Sequence, residues 1–329
     1  MKKNFIFFIL AFSCLNTYNQ VINGTIYDNL TKDPVNFASI YFNGTFTGTY
    51  SDKNGYFELD ITGNTSLPLT VSAVGYYSVT LTKFSNDSPL RIYLTPKVYE
   101  LEEVVVNARS LARKRKVNMI LFKDTFLGTT TNAMRCKIMN EDDIRFIYDN
   151  DSSILKAFTL KPIIIENMAL GYKVTYYLDE FELHTHTGTM FFTGNIIFDE
   201  DLSLDEGQKK IFERRRKSTY LGSRMHFFRS LWSDDLNTNG FIIQNSAGAN
   251  LDYKSIVVQE DSLIKFLVYF EKLYVRYYTT QPATTITFLE AAVLFDKSGY
   301  FDPKAISWEG PMARQRVADW LPYEYSLIK

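Results

Sequence analysis

Short runs in which apolar and polar residues alternate recur over residues 21–94. The alternation is clearest at residues 57–61, and it returns around Ile40, Val71 and Ile92. A period of two is typical of strands that bury one face. Several such strands, separated by Gly, Asn, Pro and Asp, predict an antiparallel β-sandwich.

Residues 52–55, Asp-Lys-Asn-Gly, form the predicted turn between two of these strands. We expect the Asp52 side chain to cap the turn and Gly55 to supply the left-handed conformation that returns the chain. Residues 296–301 repeat the order of residue types found at 52–57. Because nothing around them matches, we interpret the second copy as a reused hairpin turn and not as an internal repeat.

From residue 117 onward, strand-like and helix-like spacings of apolar residues follow one another, which predicts an α+β domain over 117–329. Helices are predicted at 122–127, at 205–232 with a break at Gly222, and at 312–321. Strands are predicted at 154–160, 163–166, 172–178, 190–198 (with a bulge at Gly194), 256–259, 263–270, 273–278 and 284–295.

The predicted fold is therefore β-rich with two domains, a transthyretin- or Ig-like sandwich at 21–106 and the α+β domain at 117–329. Residues 107–116 join them, and this segment is rich in Arg and Lys. We interpret it as a basic, solvated linker or helix start. A patch that contacts a membrane surface or a partner is the alternative.

The N-terminus has the pattern of a secretory signal peptide at 1–20. Two lysines precede the apolar run at 5–12, and small or polar residues follow it. The run is too short to anchor the chain across a bilayer. Cleavage near Gln20 would place Val21 first, whereas lipidation of Cys14 would anchor the chain to a membrane. Either route predicts an exported protein.

Composition and charge limit the remaining classes. The chain is 46% hydrophobic and 22% charged, which is typical of a folded globular protein. Its net charge of −1 gives no general attraction to nucleic acid, so no nucleic-acid partner is expected. Only two cysteines are present, and loss or lipidation of Cys14 would leave Cys136 without a disulfide partner.

The segment 21–77 resembles the carboxypeptidase regulatory-like domain, a transthyretin-like sandwich of seven strands. The resemblance rests on Val-Ile-Asn-Gly-Thr-Ile-Tyr-Asp at 21–28, Pro-Val-Asn-Phe-Ala-Ser-Ile at 34–40, Gly-Thr at 48–49, Gly-Tyr-Phe at 55–57 and Ser-Ala-Val-Gly-Tyr-Tyr at 72–77. Residues 101–106, Leu-Glu-Glu-Val-Val-Val, resemble the strand that closes this domain.

This resemblance implies a cell-envelope protein of Bacteroidetes, similar to the N-terminal extension of TonB-dependent receptors. The residues after 116 are too few for the plug and barrel of such a receptor, and regular barrel strands do not recur among them. A transporter role is therefore not expected. Four short segments, near 126, 167–172, 220–223 and 318–322, resemble a region of unknown activity in secreted proteins of Bacteroidetes.

Catalytic motifs are missing from the sequence. A zinc carboxypeptidase binds its metal through a His-x-x-Glu pair and a distant His. None of the three histidines, His184, His186 and His226, has Glu three residues later. Nucleophile-elbow, phosphate-loop and dinucleotide-binding patterns are also missing. No enzyme activity, catalytic residue, cofactor or metal is predicted.

Glu180, Glu182, His184 and His186 alternate with other residues, so one face of a strand would carry all four. Such a face could bind a divalent metal if another segment completed the site. The alternative is the solvent-facing side of an edge strand that ends in a turn at Gly188, and we favour it.

Other candidate residues have structural interpretations. Cys136 is expected to be a small buried apolar residue, and His226 to pack at a helix surface. Residues 52–55 and 199–201 lack the further ligands of a calcium loop. The basic run at 214–217 is interpreted as a solvated helix face, with an anion-binding patch as the alternative.

We therefore expect an exported, non-enzymatic envelope protein, in the periplasm or the outer membrane, with a binding or scaffold role. Its partner would be an envelope protein or a glycan. One alternative is a glycan-binding accessory of an outer-membrane uptake system, which predicts an exposed aromatic platform from residues such as Tyr76, Tyr77, Trp232 and Trp308. Another is a hydrolase with an unrecognised site in the second domain, where Glu180, His184 and His186 are the first candidates.

Overall fold

The computed structural model describes residues 20–62, 67–97, 108–259, 262–279 and 282–327, without the side chains of 108–112, 200 and 201. Strands make up 37% of the structure and helices 19%, and the prediction of a β-rich fold with antiparallel sheets is confirmed. The predicted signal peptide up to residue 19, with Cys14, and the predicted strand at 101–106 lie outside the described residues. No described helix is long and apolar enough to cross a membrane.

The N-terminal region is a sandwich of two sheets, as predicted. One sheet has the order β4-β1-β7, in which β1 and β7 are parallel, and the other has the order β3-β2-β5-β6. The inward residues of both sheets form one core cluster that includes Ile26, Ile40 and Phe57. The strands are β1 (Val21–Asp28), β2 (Ser39–Phe42), β3 (Gly48–Tyr50), β4 (Tyr56–Asp60), β5 (Leu69–Ser72), β6 (Val79–Leu81) and β7 (Leu90–Leu94).

The two predicted turns have the same geometry. Asp52 Oδ1 accepts hydrogen bonds from the backbone N–H groups of Asn54 at 2.8 Å and Tyr56 at 2.9 Å. Asp296 Oδ1 accepts in the same way from the N–H groups two and four residues later, at 2.8 and 3.2 Å. Gly55 and Gly299 have φ angles of +73° and +85°. The Asp-x-x-Gly order therefore specifies one turn at both places.

A second, six-stranded sheet follows the sandwich in the chain. Its longest strand, β12, pairs with β10 and β11 along one side and with β13 along the other. The pairing passes from Leu178↔Gly194 to Glu180↔Thr193, so Asp179 is the extra residue of a bulge. The bulge predicted at Gly194 thus lies on the facing strand. The strands are β8 (Cys136–Ile138), β9 (Arg145–Asp149), β10 (Ile154–Phe158), β11 (Ile163–Asn167), β12 (Tyr172–His184) and β13 (Met190–Asp201).

A 19-residue helix, α1 (Ala108–Phe126), packs against this sheet. It includes residues 108–116, which the sequence predicts to be a linker or helix start, so the helix start is confirmed and the linker is not. The helix is also much longer than the one predicted at 122–127. Met119, Phe122 and Phe126 recur at a spacing of three and four and bury one stripe of the helix. The other sides of the helix face solvent and carry basic residues. These residues make the apolar stripe hard to recognise in the sequence.

The helical stretch predicted at 205–232 is confirmed as two helices, α2 (Glu206–Tyr220) and α3 (Arg224–Trp232). Gly222 lies between them with a φ angle of +78°, a conformation in which a helix cannot continue. Asp205 and Ser223 are the N-caps, and their side chains accept from Gln208 N and His226 N.

The C-terminal part of the chain contains two small sheets packed around α3 and a single helical turn, α4 (Tyr253–Ile256), with a core cluster of its own. Strands β14 and β20 fall where no strand is predicted, and the strand predicted at 284–295 is two strands. The sheets consist of β14 (Phe241–Gln244), β17 (Leu273–Tyr277), β18 (Thr284–Phe288) and β20 (Ile306–Glu309), and of β15 (Val257–Gln259), β16 (Lys265–Leu267) and β19 (Val293–Phe295).

The helix predicted at 312–321 is wrong. This segment forms two 3-10 turns, Pro311–Arg314 and Val317–Asp319, with extended backbone at Arg316 between them. Tertiary hydrogen bonds explain the difference, because the Asp319 carboxylate accepts from Thr130 and Asn132 at 2.8–3.1 Å. An uninterrupted helix would carry this carboxylate away from its donors.

The sandwich is joined to the six-stranded sheet by its loop at 43–46, between β2 and β3. Gly44 N donates to Ile196 O at 2.8 Å, and Phe198 N donates to Thr45 O at 3.0 Å. Ile196 N donates to the Asn43 side chain at 2.8 Å. The loop therefore runs along part of β13 as a short parallel strand, through the bridge between Thr45 and Ile197.

Candidate functional site

A cleft with a volume of about 370 Å³ lies where three parts of the chain meet. The sandwich contributes the loop at 43–46, the central part contributes β12 and α2, and residues 322–326 close the far side. Ligand sites commonly occupy such junctions. We call this the junction cleft, and its lining consists of Phe46, Tyr172, Glu213, Arg216, Pro322, Glu324, Tyr325 and Ser326.

Arg216 is the buried cation of the junction cleft. Its Nε donates to Leu170 O at 2.7 Å, and its Nη1 donates to Glu213 Oε1 at 2.8 Å. The guanidinium also lies 4.1 Å from the centre of the Tyr172 ring. The geometry therefore holds the guanidinium rigidly, with a carboxylate on one side and an aromatic face on the other.

The basic run at 214–217 is thus only partly a solvated face. Arg214 and Lys217 are exposed, as predicted, but Arg216 is 5% exposed. Phe212, Arg216 and Tyr220 are spaced by four residues and share the buried side of α2. That spacing is the signal in the sequence that could have assigned Arg216 to the interior.

Glu324 connects the C-terminal segment to the sandwich. Its Oε1 accepts from Phe46 N at 2.8 Å. Burial raises the pKa of this carboxyl, and the hydrogen bond from Phe46 N opposes the rise. Phe46 itself is 40% exposed, although its ring contacts those of Tyr172 and Phe198 at 5.8 Å. One wall of the junction cleft is therefore a partly open aromatic ring beside a carboxyl group.

The residues of the junction cleft suit a ligand with both apolar and hydroxyl surface. Phe46, Tyr325 and Pro322 supply apolar contacts, while Glu213 and Ser326 supply polar side chains. The Arg216 guanidinium pairs with the Glu213 carboxylate, and the second carboxyl group of the lining, that of Glu324, accepts the hydrogen bond from Phe46 N. Such a lining can bind a neutral polar ring by stacking and hydrogen bonding.

The acidic and histidine residues at 180–186 lie elsewhere. Glu180, Glu182 and His184 belong to the second half of β12, and Glu182 forms a 2.6 Å ion pair with Lys156. His186 is exposed in the turn after the strand, where Gly188 N donates to His184 O at 2.8 Å. The turn at Gly188 is confirmed, but the expectation of an edge strand is wrong, because β12 has pairing partners on both sides.

None of these four residues lines the junction cleft. Within the described ranges, no group of three or more His, Cys, Asp or Glu side chains has a geometry that could hold a metal ion. Asp199, which the sequence analysis weighs as part of a calcium loop, accepts a hydrogen bond from Thr175, and it lies in strand β13 and not in a loop.

His226 packs against neighbouring rings, as expected, whereas Cys136 is less buried than expected and its thiol donates to Asn132 O at 3.4 Å. His226 is buried between the rings of Tyr220 and Phe241, and its Nδ1 accepts from Gly222 N at 3.1 Å. Burial lowers its pKa to about 4, so the imidazole is neutral at pH 7. Cys136 is half-buried, and burial raises the pKa of its thiol to about 12. A thiol with such a pKa is a poor nucleophile.

The aromatic candidates fall into two groups, Tyr76 and Tyr77 in the sandwich and Trp232 and Trp308 beside the C-terminal core cluster. Tyr76 donates to Asp28 Oδ2 at 2.8 Å, and Lys97 lies over the ring of Tyr77. Trp232 is covered by the Lys265 ammonium, 4.5 Å from its centre, and Trp308 packs in the C-terminal core cluster. These residues do not form one platform, and the open ring that lines a cleft is Phe46.

Comparison with known proteins identifies the first region. Residues 22–106 match the model of the CarboxypepD_reg-like domain, in agreement with the resemblance found in the sequence. No curated protein sequence matches the chain. Among solved structures, a 9R-lipoxygenase from Cyanothece PCC8801 aligns with 64% of this chain at 12% identity and a TM-score of 0.17. The alignment spans 48% of the lipoxygenase chain, and this score does not establish a shared fold.

Proposed function

We propose that this is an exported, non-enzymatic binding protein of the cell envelope, in which the CarboxypepD_reg-like sandwich supports a ligand site in the junction cleft. The observation that carries the proposal is the composition of the cleft wall. Phe46 and its loop come from the sandwich, and every other lining residue comes from the part of the chain after residue 171. Because a loop of the sandwich forms part of the cleft wall, the same domain can both act as a scaffold and contact the ligand.

Binding is favoured over catalysis by the state of the polar groups in the junction cleft. Glu213 is paired with Arg216, and Glu324 accepts a backbone hydrogen bond that holds the loop at 43–46. A general acid or base must instead be able to exchange a proton with substrate. The first candidates for a hydrolase, Glu180, His184 and His186, are not part of this cleft.

Export is proposed from the sequence of residues 1–20, and location in the periplasm or the outer membrane follows from it. The test is the intact mass of the protein recovered from fractionated cells. A chain beginning near Val21 in the soluble fraction supports a periplasmic protein. A lipid-modified Cys14 in the membrane fraction supports an outer-membrane lipoprotein, and an unprocessed chain in the cytoplasm would contradict export.

A glycan is the ligand that the lining favours, and it is the second candidate function. The exposed part of the Phe46 ring can stack on the C–H face of a sugar, while the Glu213 and Ser326 side chains can bond its hydroxyl groups. The volume of about 370 Å³ is within the usual range for small-ligand sites. We therefore propose an oligosaccharide of the cell surface as the ligand.

The test is calorimetric titration of the whole protein with a panel of neutral oligosaccharides. For a sugar that binds, Phe46→Ala is expected to raise Kd about tenfold, because loss of one stacking contact costs about 1.4 kcal/mol. Phe191→Ala is the matched control, since Phe191 is 51% exposed and lies outside the junction cleft. An equal effect of both variants, or no binding at all, would contradict the glycan assignment. Cleavage of a bound sugar would instead identify the protein as a hydrolase.

A further inference from the structure

Helix α1 has a buried side that accounts for only some of its residues. Met119, Phe122 and Phe126 pack into the core under the six-stranded sheet. On the same side, Arg115 donates to Glu141 O and Ile144 O, both at 2.8 Å. These contacts hold the helix against the rest of the protein. Arg115, which belongs to the basic run, is thus a structural residue.

The opposite side of α1 combines apolar and basic residues. Val117 and Ile120 lie one turn apart, and each is 51% exposed. At 3.6 residues per turn they project away from Phe122, together with Arg113. Lys114 and Lys116 flank this line, and all three basic side chains are exposed. This set of five residues is called the α1 face.

The acidic groups near α1 do not neutralise the positive charge of the α1 face. Glu141 and Asp142 lie beside the buried side of the helix, where they pair with Lys123 and Arg115. Asp124, the acidic residue closest in sequence, follows Ile120 by one turn at the end of the line. The face thus places two aliphatic side chains among three cations at the N-terminal half of the helix.

We propose that the α1 face binds the surface of an anionic lipid bilayer. Lys and Arg side chains are attracted to anionic headgroups, while short aliphatic side chains enter the boundary between headgroups and acyl chains. Charge complementarity alone would also fit an acidic protein. The apolar line favours a bilayer, because a purely acidic surface gives Val117 and Ile120 no apolar contact. This inference is independent of any ligand in the junction cleft.

The test is co-sedimentation of the chain from Val21 onward, without the predicted signal peptide, with phosphatidylcholine vesicles that contain or lack phosphatidylglycerol. Binding is expected only with the anionic lipid and is expected to weaken as salt is raised. The double variant Lys114→Glu and Lys116→Glu should lower partitioning by about 25-fold or more, since each basic residue contributes about fivefold. The double variant Val117→Ser and Ile120→Ser should lower it by about tenfold.

The matched control is Lys209→Glu with Lys210→Glu, which makes the same charge change at two exposed positions of α2. All these positions are on the surface, so unchanged thermal unfolding will confirm that each variant is folded. An equal loss in the control would overturn the proposal, because attraction would then depend on total charge. Equal binding to both vesicle types, no binding to either, or full binding by the serine variant would also overturn it.

Discussion

The two sheets of the sandwich have the same kind of sequence but different surroundings. In β1 and β4 every second residue is buried, and the residues between them are half-buried or exposed. In β2 and β5 all four residues of each strand are buried. The difference arises because the rest of the chain covers the outer side of the two central strands β2 and β5, while β3 and β6 at the edges keep exposed residues. Within the part of the chain that the structure describes, the outward residues of β4-β1-β7 are half-buried or exposed.

The covered face is polar, and this is what the comparison teaches. Tyr41 bonds to Ser72 at 2.9 Å, and Ser39 bonds to Tyr177 of β12 at 2.7 Å. A hydroxyl group satisfied in this way costs little to bury. Polar residues at alternate positions of a strand therefore fit either of two environments, solvent or a hydrogen-bonded interface. The sequence pattern alone does not tell which of the two a given strand faces.

Truncation of one tyrosine on each face should separate the two environments most clearly. Tyr41 is 0% exposed, so Tyr41→Ala leaves a cavity and removes the hydrogen bond to Ser72, and we expect a loss of about 3–5 kcal/mol in the free energy of unfolding. Tyr27, on the open face, stacks on Tyr93 at 5.5 Å. Its replacement by Ala should cost about 1 kcal/mol. Urea denaturation measures both, and equal losses would contradict the distinction.

Two aspartates are expected to make stability depend on pH in opposite directions. Both effects are smaller than those of the tyrosine replacements. Asp179, in the bulge of β12, accepts from Ser78 N of the sandwich and from Asn195. Burial raises its pKa above the value in the unfolded chain. Between the two pKa values the folded state holds a proton that the unfolded state has released. Asp179 therefore lowers stability as pH rises through this range.

Asp28, at the end of β1, behaves in the opposite way. The backbone N–H of Thr31 is the main cause that lowers its pKa. Its contribution is present above the unfolded pKa and is lost as pH falls through the folded pKa. Unfolding curves between about pH 3 and pH 7 should show that Asp179→Asn flattens the decline toward neutral pH. Asp28→Asn should flatten the decline toward acid, and matching slopes in the two variants would contradict these assignments.

The sequence predicts the sandwich well because its signals are local. Residues 52–55 contain everything their turn requires, and the alternation around β1, β4 and β7 follows from one buried face. Helix α1 shows the limit of this reasoning. Its basic residues indicate solvent, yet Met119 and Phe122 define a buried stripe, and the core that receives them comes from strands later in the chain. The run of basic residues therefore hid the helical spacing of the apolar residues, and most of α1 was not predicted.

The junction cleft could not be predicted from the sequence. Phe46, Arg216 and Glu324 are far apart in the chain, and no motif connects residues that tertiary packing alone brings together. The helix predicted over 312–321 fails for a related reason. Asp319 bonds to Thr130 and Asn132, nearly 190 residues earlier, and these bonds override the helical preference of the segment.

The hydrogen bond between Phe46 N and Glu324 has a consequence for the order of events during synthesis. Its two residues are 278 positions apart, and Tyr323 N also donates to Gly44 O. A ribosome releases the sandwich residues first, so their loop at 43–46 lacks its final neighbours until almost the whole chain has emerged. Contacts of such sequence separation slow folding. The loop at 43–46 thus acquires its final contacts later than the core of the sandwich to which it belongs.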